Sequence, residues 1–153
     1  MGGLYYEQFS VGQRFEHVLR RTVTETDNLI FSALTHNPAA LHLDEEAMKA
    51  SEFGTRIVNS CFTLSLMVGV SVGDTTLGTT VANLGWDEVR FPKPVFIGDT
   101  LRTESVVHEM RESKSRPDAG IVTFMHRCLN QHGVEVAVCK RMALMKKLPQ
   151  AGA

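Results

Sequence analysis

The stretch Ile57-Val58-Asn59-Ser60-Cys61-Phe62-Thr63-Leu64-Ser65-Leu66-Met67-Val68-Gly69-Val70-Ser71-Val72 decides the fold. Its apolar positions cover nearly every direction of a helical wheel, and a helix apolar all round is buried, either in a protein core or in a membrane. Sixteen residues rise roughly 24 Å at 1.5 Å per residue, which is short for a bilayer. Asn59, Ser60, Thr63 and Ser65 lower its hydrophobicity further. The stretch therefore reads as a core helix wrapped by a sheet, and a membrane span is not expected.

Downstream of this helix the period changes. Thr79–Trp86, Glu88–Phe91, Thr100–Glu109, Gly120–Leu129 and Val134–Met145 are strand-like. The clearest alternation sets Val134, Val136 and Val138 on one face against Glu135, Ala137 and Cys139 on the other. Asn130-Gln131-His132-Gly133 is short enough to join the last two strands as a hairpin. Ile97-Gly98-Asp99-Thr100 punctuates another junction, and Pro92 and Pro94 mark a bend or an edge. Short connections with no intervening helices imply an antiparallel sheet. Strands curling around one long buried helix give an α+β fold.

Upstream, Thr24 and Asp27 have capping-box spacing, with Leu29, Ile30, Ala33 and Leu34 as the apolar stripe of the helix they start. Pro38 ends that helix near Thr35-His36-Asn37 by removing a donor and biasing Asn37 towards extended backbone. Asp44 then reads as the N-cap of a short helix ending near Gly54, with Glu45 and Glu46 in its first turn. The tail Pro149–Ala153 reads as disordered.

The 153 residues suit one domain, 1–153, able to bury a core without staples. A hydrophobic content of 43% with 22% charged residues is that of a globular chain. The net charge of −1 offers no basic field for nucleic acid or an anionic membrane. Any anion must therefore meet local positive charge. Cys61, Cys128 and Cys139 are odd in number and lie in apolar runs, with no zinc or disulfide spacing. They read as reduced thiols packed as small hydrophobes, and no metal site is expected. The segment Met1–Glu7 has neither a basic n-region nor an apolar h-region, so a cytoplasmic protein is expected.

Three segments could carry chemistry. Leu34–Asp44 is a loop between helical signals with an amide, Asn37, and two imidazoles, His36 and His42. An imidazole titrates near neutrality, although a loop histidine also serves as a solvated or capping group. Free amides at the start of the core helix, around Asn59 and Ser60, can stabilise an oxyanion, or these side chains can simply cap it. The loop Arg111–Asp118 carries Lys114 and Arg116, which could hold phosphates or a carboxylate or be a solvated hairpin tip.

These features occur together in a known arrangement. The chain resembles the MaoC-like dehydratases, the R-specific enoyl-CoA hydratases of the hot-dog superfamily, from about Phe9 to Leu148. The carrying stretches are Phe9-Ser10-Val11-Gly12-Gln13-Arg14-Phe15, the loop ending Leu41-His42-Leu43-Asp44, and residues 89–100, Val-Arg-Phe-Pro-Lys-Pro-Val-Phe-Ile-Gly-Asp-Thr. Residues 52–60 and 115–120 look more like the mesaconyl-CoA hydratase, or β-methylmalyl-CoA dehydratase, branch.

The resemblance implies a hot-dog homodimer or higher oligomer acting reversibly on an α,β-unsaturated acyl-CoA, with no cofactor beyond the coenzyme A of the substrate. The family loop Asp-x-Asn-Pro-x-His, aligned without gaps, puts its histidine on His42 and its aspartate on Asn37, and its Asn-Pro falls on Ala39-Ala40. A carboxamide does not titrate usefully, so His42 would handle the proton while Asn37 orients water. The amides near Asn59 and Ser60 would stabilise the enolate-like thioester oxygen. A dicarboxylic acyl group needs a cation beyond the reacting carbons, with Arg56 the first candidate and Arg90 and Arg116 next. Arg116, Lys114 and Lys93 could instead meet the CoA phosphates. A hot-dog acyl-CoA thioesterase using Asp44 or Glu45, and a non-catalytic acyl-CoA-binding subunit, are the alternatives.

Overall fold

The computed structural model describes residues 2–149, so all of the expected tail after Pro149 lies outside the described residues. Five strands form one sheet in the order β1-β3-β4-β5-β2, every neighbouring pair antiparallel. They are β1 (Arg14–Thr22), β2 (Thr80–Arg90), β3 (Thr100–Glu112), β4 (Ala119–Leu129) and β5 (Glu135–Lys146). The helices are α1 (Glu25–Leu34), α2 (Ala40–Leu43), α3 (Glu45–Met48) and the long α4 (Ser60–Thr75), which lies against β1, β3, β4 and β5. This is the α+β arrangement of a sheet curled on one helix.

The long helix begins and ends three residues later than the apolar run suggests. Ile57 instead bridges Phe96, and the Val58 amide donates to the Val95 carbonyl at 2.8 Å. Asn59 caps the helix by accepting from the Cys61 amide at 3.0 Å. Nor is α4 enclosed all round. Thr63, Met67, Val70, Ser71 and Thr75 form its buried face, while Cys61, Ser65 and Gly69 are exposed. The Ser71 and Thr75 hydroxyls face the core bonded locally, Ser71 Oγ donating to the Val68 carbonyl at 2.7 Å and Thr75 Oγ1 to the Ser71 carbonyl. The expectation that all three thiols are packed inside fails at Cys61, which sits on the open side, and holds at Cys128 and Cys139.

The last hairpin forms as expected, closed by Asn130 and Gly133. Its final strand does not alternate between buried and open faces, because β5 is interior to the sheet and Val136, Ala137, Val138 and Cys139 are all buried. Val134 precedes the strand and is exposed. The two strand-like runs before Pro92 are one strand, β2, with irregular register against β5. Asp99 closes the Ile97–Thr100 turn by accepting from the Phe96 amide at 2.8 Å, with Gly98 at φ +97°. Strand β1 has no counterpart among the elements expected from sequence. It is an edge strand with a bulge between Glu16 and Arg20, and only His17 in it is buried. No helix among the described residues is long and apolar enough to cross a membrane.

A polar chain crosses the interface of sheet and helix. The Asp74 carboxylate on α4 lies 2.7 Å from His17 Nδ1, His17 Nε2 lies 2.7 Å from Ser105 Oγ, and Ser105 Oγ lies 2.7 Å from His126 Nδ1. His126 is fully buried, and burial, assisted by the charge of Arg141, pushes its imidazole down to about 3. An unfolded histidine titrates near 6.5. Between those values the unfolded chain binds the extra proton, so this contribution to stability is complete above about pH 6.5 and is lost as pH falls. Urea midpoints should therefore show wild type losing up to about 1.4 kcal/mol per pH unit from this group below pH 6.5. In His126→Asn the dependence between pH 6.5 and 5 should flatten, and equal slopes in the two proteins would contradict this account.

Candidate active site

Helix α1 starts on the expected box: Thr24 Oγ1 accepts from the Asp27 amide at 3.2 Å, and Asp27 accepts from the Thr24 amide at 2.9 Å. Its inward face is not the expected apolar stripe. Leu29, Ile30 and Leu34 are exposed, and the buried residues are Asn28 and Ser32. A polar face turns inward because it meets backbone. Asn28 Nδ2 donates to the His42 carbonyl at 2.9 Å, and Asn28 Oδ1 accepts from the Asn59 amide at 2.9 Å. One carboxamide thus fastens the His42 segment to the head of α4. Asn28 is not among the residues singled out from sequence because its partners lie 14 and 31 residues away.

His42 lies on the short helix α2 rather than in a loop, and is 7% exposed. Its Nδ1 is 2.8 Å from the Ile57 carbonyl. A carbonyl only accepts, so Nδ1 carries the proton, and in the neutral ring Nε2 holds the lone pair. Among the described residues Nε2 has no hydrogen-bond partner. That is the orientation a general base needs.

Asn37 makes a local bond through its side chain. Its Oδ1 accepts from the Ala39 amide at 3.0 Å, making the turn that launches α2, and no hydrogen bond joins its side chain to the His42 ring. Asn59 is likewise no free donor: its amide bonds Asn28, and its side chain caps Cys61 and approaches Ser32 Oγ at 3.4 Å. The first-turn amides of Ser60 and Phe62 have no partner among the described residues.

Arg56 is committed within the chain. Its Nε donates to Glu45 at 2.8 Å and its terminal nitrogen to Glu25 at 2.9 Å. Bonds from Arg56 and from the Thr55 hydroxyl pull the Glu45 carboxyl down to about 2. Asp44 caps α3 by accepting from the Ala47 amide at 2.9 Å. That helix stops at Met48, not near Gly54, because Ser51 turns its hydroxyl and amide onto the Met48 carbonyl. Arg116 pairs with Asp118 at 2.7 Å on an exposed loop beside Lys114. Arg90 and Lys93 are exposed on either side of Pro92.

A cavity of about 510 Å³ opens at the head of α4. Phe53, Ile57, Ser60, Thr63 and residues 91–95 line it, together with the exposed Glu52. His42 is not among the residues lining it, but its ring bonds the carbonyl of Ile57, which is.

The family model described as "MaoC like domain" matches residues 7–126. The chain belongs to the MaoC-like domain family. It is 34% identical over 145 residues to a mesaconyl-CoA hydratase of Cereibacter sphaeroides, an alignment covering 95% of this chain and 42% of that protein. The chain spans less than half the length of several curated MaoC-like relatives it matches. The crystal structure of a MaoC-like dehydratase from Rhodospirillum rubrum superposes with a TM-score of 0.85 at 30% identity, covering 96% of this chain and 99% of that one. A Mycobacterium tuberculosis protein with a double hot-dog fold superposes at 0.87 and 22% identity over 99% of this chain and 47% of its own. The MaoC-like domain seen here is therefore a hot-dog fold.

Replacing Asn28 with alanine leaves the His42 carbonyl and the Asn59 amide unpaired in a buried place. At about 1–3 kcal/mol per orphaned group, Asn28→Ala should lower the unfolding free energy by about 2–6 kcal/mol in a denaturant titration. A loss below about 0.5 kcal/mol, less than one ordinary hydrogen bond, would show that the bridge does not hold the site.

Proposed function

We propose that this MaoC-like domain adds water reversibly to the double bond of an α,β-unsaturated acyl-CoA. The observation that carries the reading is the fixed His42 imidazole, Nδ1–H on the Ile57 carbonyl and Nε2 free, beside a helix N-terminus with unpartnered amides. His42 Nε2 takes a proton from water as the water oxygen bonds to the β-carbon. The π electrons move towards the thioester oxygen, which the Ser60 amide and the positive end of α4 stabilise. The imidazolium then returns its proton to the α-carbon, and dehydration is the reverse. Asn37 carries no proton; it holds the turn from which His42 projects. No cofactor is called for, since coenzyme A is part of the substrate.

A branched four- or five-carbon dicarboxylic acyl group, as in mesaconyl-CoA, is the finer reading, supported by the mesaconyl-CoA hydratase relative. A homodimer or higher oligomer accords with the apolar side chains left open on β1 and α1: Val18 is 92% exposed and Leu34 76%. Lys93, Lys114, Arg90 and Arg116 are the exposed cations within this reading that can meet CoA phosphates.

The test follows the absorbance of the conjugated thioester with mesaconyl-CoA and crotonyl-CoA. Wild type should bleach it with CoA still attached, and His42→Ala should be slower by about 10²–10⁴-fold. Free thiol released in place of hydration, or equal rates in the two proteins, would overturn the proposal.

A further inference from the structure

We propose that Glu45 is a positioning residue for His42, holding the segment Thr55–Ile57 so that the Ile57 carbonyl meets the imidazole Nδ1–H. This rests on the hydratase reading above and deepens it at the base.

Glu45 opens α3, in the same stretch of chain as His42. One of its carboxylate oxygens accepts from the Thr55 hydroxyl at 2.7 Å. The other accepts from Arg56 Nε at 2.8 Å and from the Arg56 amide at 3.3 Å. The next residue closes on the other side of the base. The Ile57 amide donates to the Leu41 carbonyl at 3.1 Å, and the Ile57 carbonyl accepts from His42 Nδ1 at 2.8 Å. The bonds make a ring that runs from the His42 imidazole through Ile57 and Arg56 to Glu45, and back along the chain through Asp44 and Leu43.

A carbonyl used to orient an imidazole has to be held itself. The peptide it belongs to is anchored on one side, where the Val58 amide donates to the Val95 carbonyl at 2.8 Å. Glu45 supplies the anchor on the other side. Arg56 carries the hold further: its terminal nitrogen reaches Glu25 at 2.9 Å, on the helix whose Asn28 bonds the His42 carbonyl and the Asn59 amide.

Glu45 is no base in this arrangement. Bonds from Arg56 and Thr55 hold its carboxyl down at about 2, so at neutral pH it is ionised and occupied as an acceptor. A group that takes a proton from water works best with a pKa near the working pH. An exposed ion pair by itself contributes little to folding, and the Glu45 side chain is 44% exposed. What distinguishes this one is that three bonds converge on two consecutive residues, next to the carbonyl that the base needs.

The experiment reads kcat and KM with mesaconyl-CoA and crotonyl-CoA, and the nitrogen-15 shifts of the His42 ring, in wild type, Glu45→Ala and Glu45→Gln. Glu135→Ala, which breaks the ion pair to Arg127 on the sheet, is the control. All are compared at a temperature where each is folded, and Glu45→Gln, close to glutamate in size, decides the matter if Glu45→Ala does not fold. Glu45→Ala should lose about tenfold or more in kcat, by the same factor on each thioester that wild type hydrates, with KM nearly unchanged. Its His42 ring should pass from the Nδ1–H form to a mixture of tautomers. Glutamine keeps one acceptor for Arg56 and turns an amide to the Thr55 hydroxyl, so Glu45→Gln should fall between alanine and wild type. Glu135→Ala should match wild type. An unchanged kcat or an unchanged ring in the Glu45 variants would overturn the proposal. So would a loss confined to mesaconyl-CoA, a rise in KM with kcat kept, or an equal loss in Glu135→Ala. If wild type hydrates neither thioester, the hydratase reading fails, and the ring shifts alone decide whether Glu45 positions His42.

Discussion

The carboxamide of Asn28 has its two ends on two different parts of the chain: the donor on the carbonyl of His42, the acceptor on the amide of Asn59. It is fully buried, so neither bond can be exchanged for water without cost. Because α1 carries Asn28, the placing of that helix, by the Thr24–Asp27 box and the Arg56–Glu25 pair, also sets where His42 and the head of α4 meet. The Ile57 carbonyl then fixes the ring itself. The catalytic reading needs a base of known orientation near a free helix end. These bonds supply the orientation and leave the Ser60 amide open.

The sheet gives this arrangement something rigid to stand on. Strands β3, β4 and β5 are continuous and paired on both sides, and Met67 of α4 is fully enclosed against them. The polar chain from Asp74 through His17 and Ser105 to His126 lies farther along α4, towards its C-terminal end. Its buried imidazole, His126, costs the fold stability in acid. The candidate site and the buried histidine chain therefore occupy opposite ends of the same helix.

Much of this was legible in the residues because local physics governs it. The apolar run after Arg56 gives the core helix, period-two alternation and the Asn130–Gly133 turn give the hairpin, and Thr24 with Asp27 gives the start of α1. What stayed hidden depends on partners far away in sequence. Strand β1 is an edge whose charged side chains mask its period. Asn28 and Ser32 look like the solvent face of α1 until the His42 segment and Asn59 are set against them. Arg56 reads as a ligand-binding cation until Glu25 and Glu45 are seen to close on it. The family loop singles out His42, but the tautomer of its ring is not legible there, since that depends on a carbonyl 15 residues on.

The most direct test of the central claim is the protonation pattern of the His42 ring, read from nitrogen-15 chemical shifts at neutral pH with His42→Gln as the assignment control. The account predicts a neutral ring protonated on Nδ1, with an unprotonated Nε2 free to take a proton. A His42 ring protonated on Nε2 and bare on Nδ1 would mean that the Ile57 carbonyl does not hold it, and the proposed base would be lost.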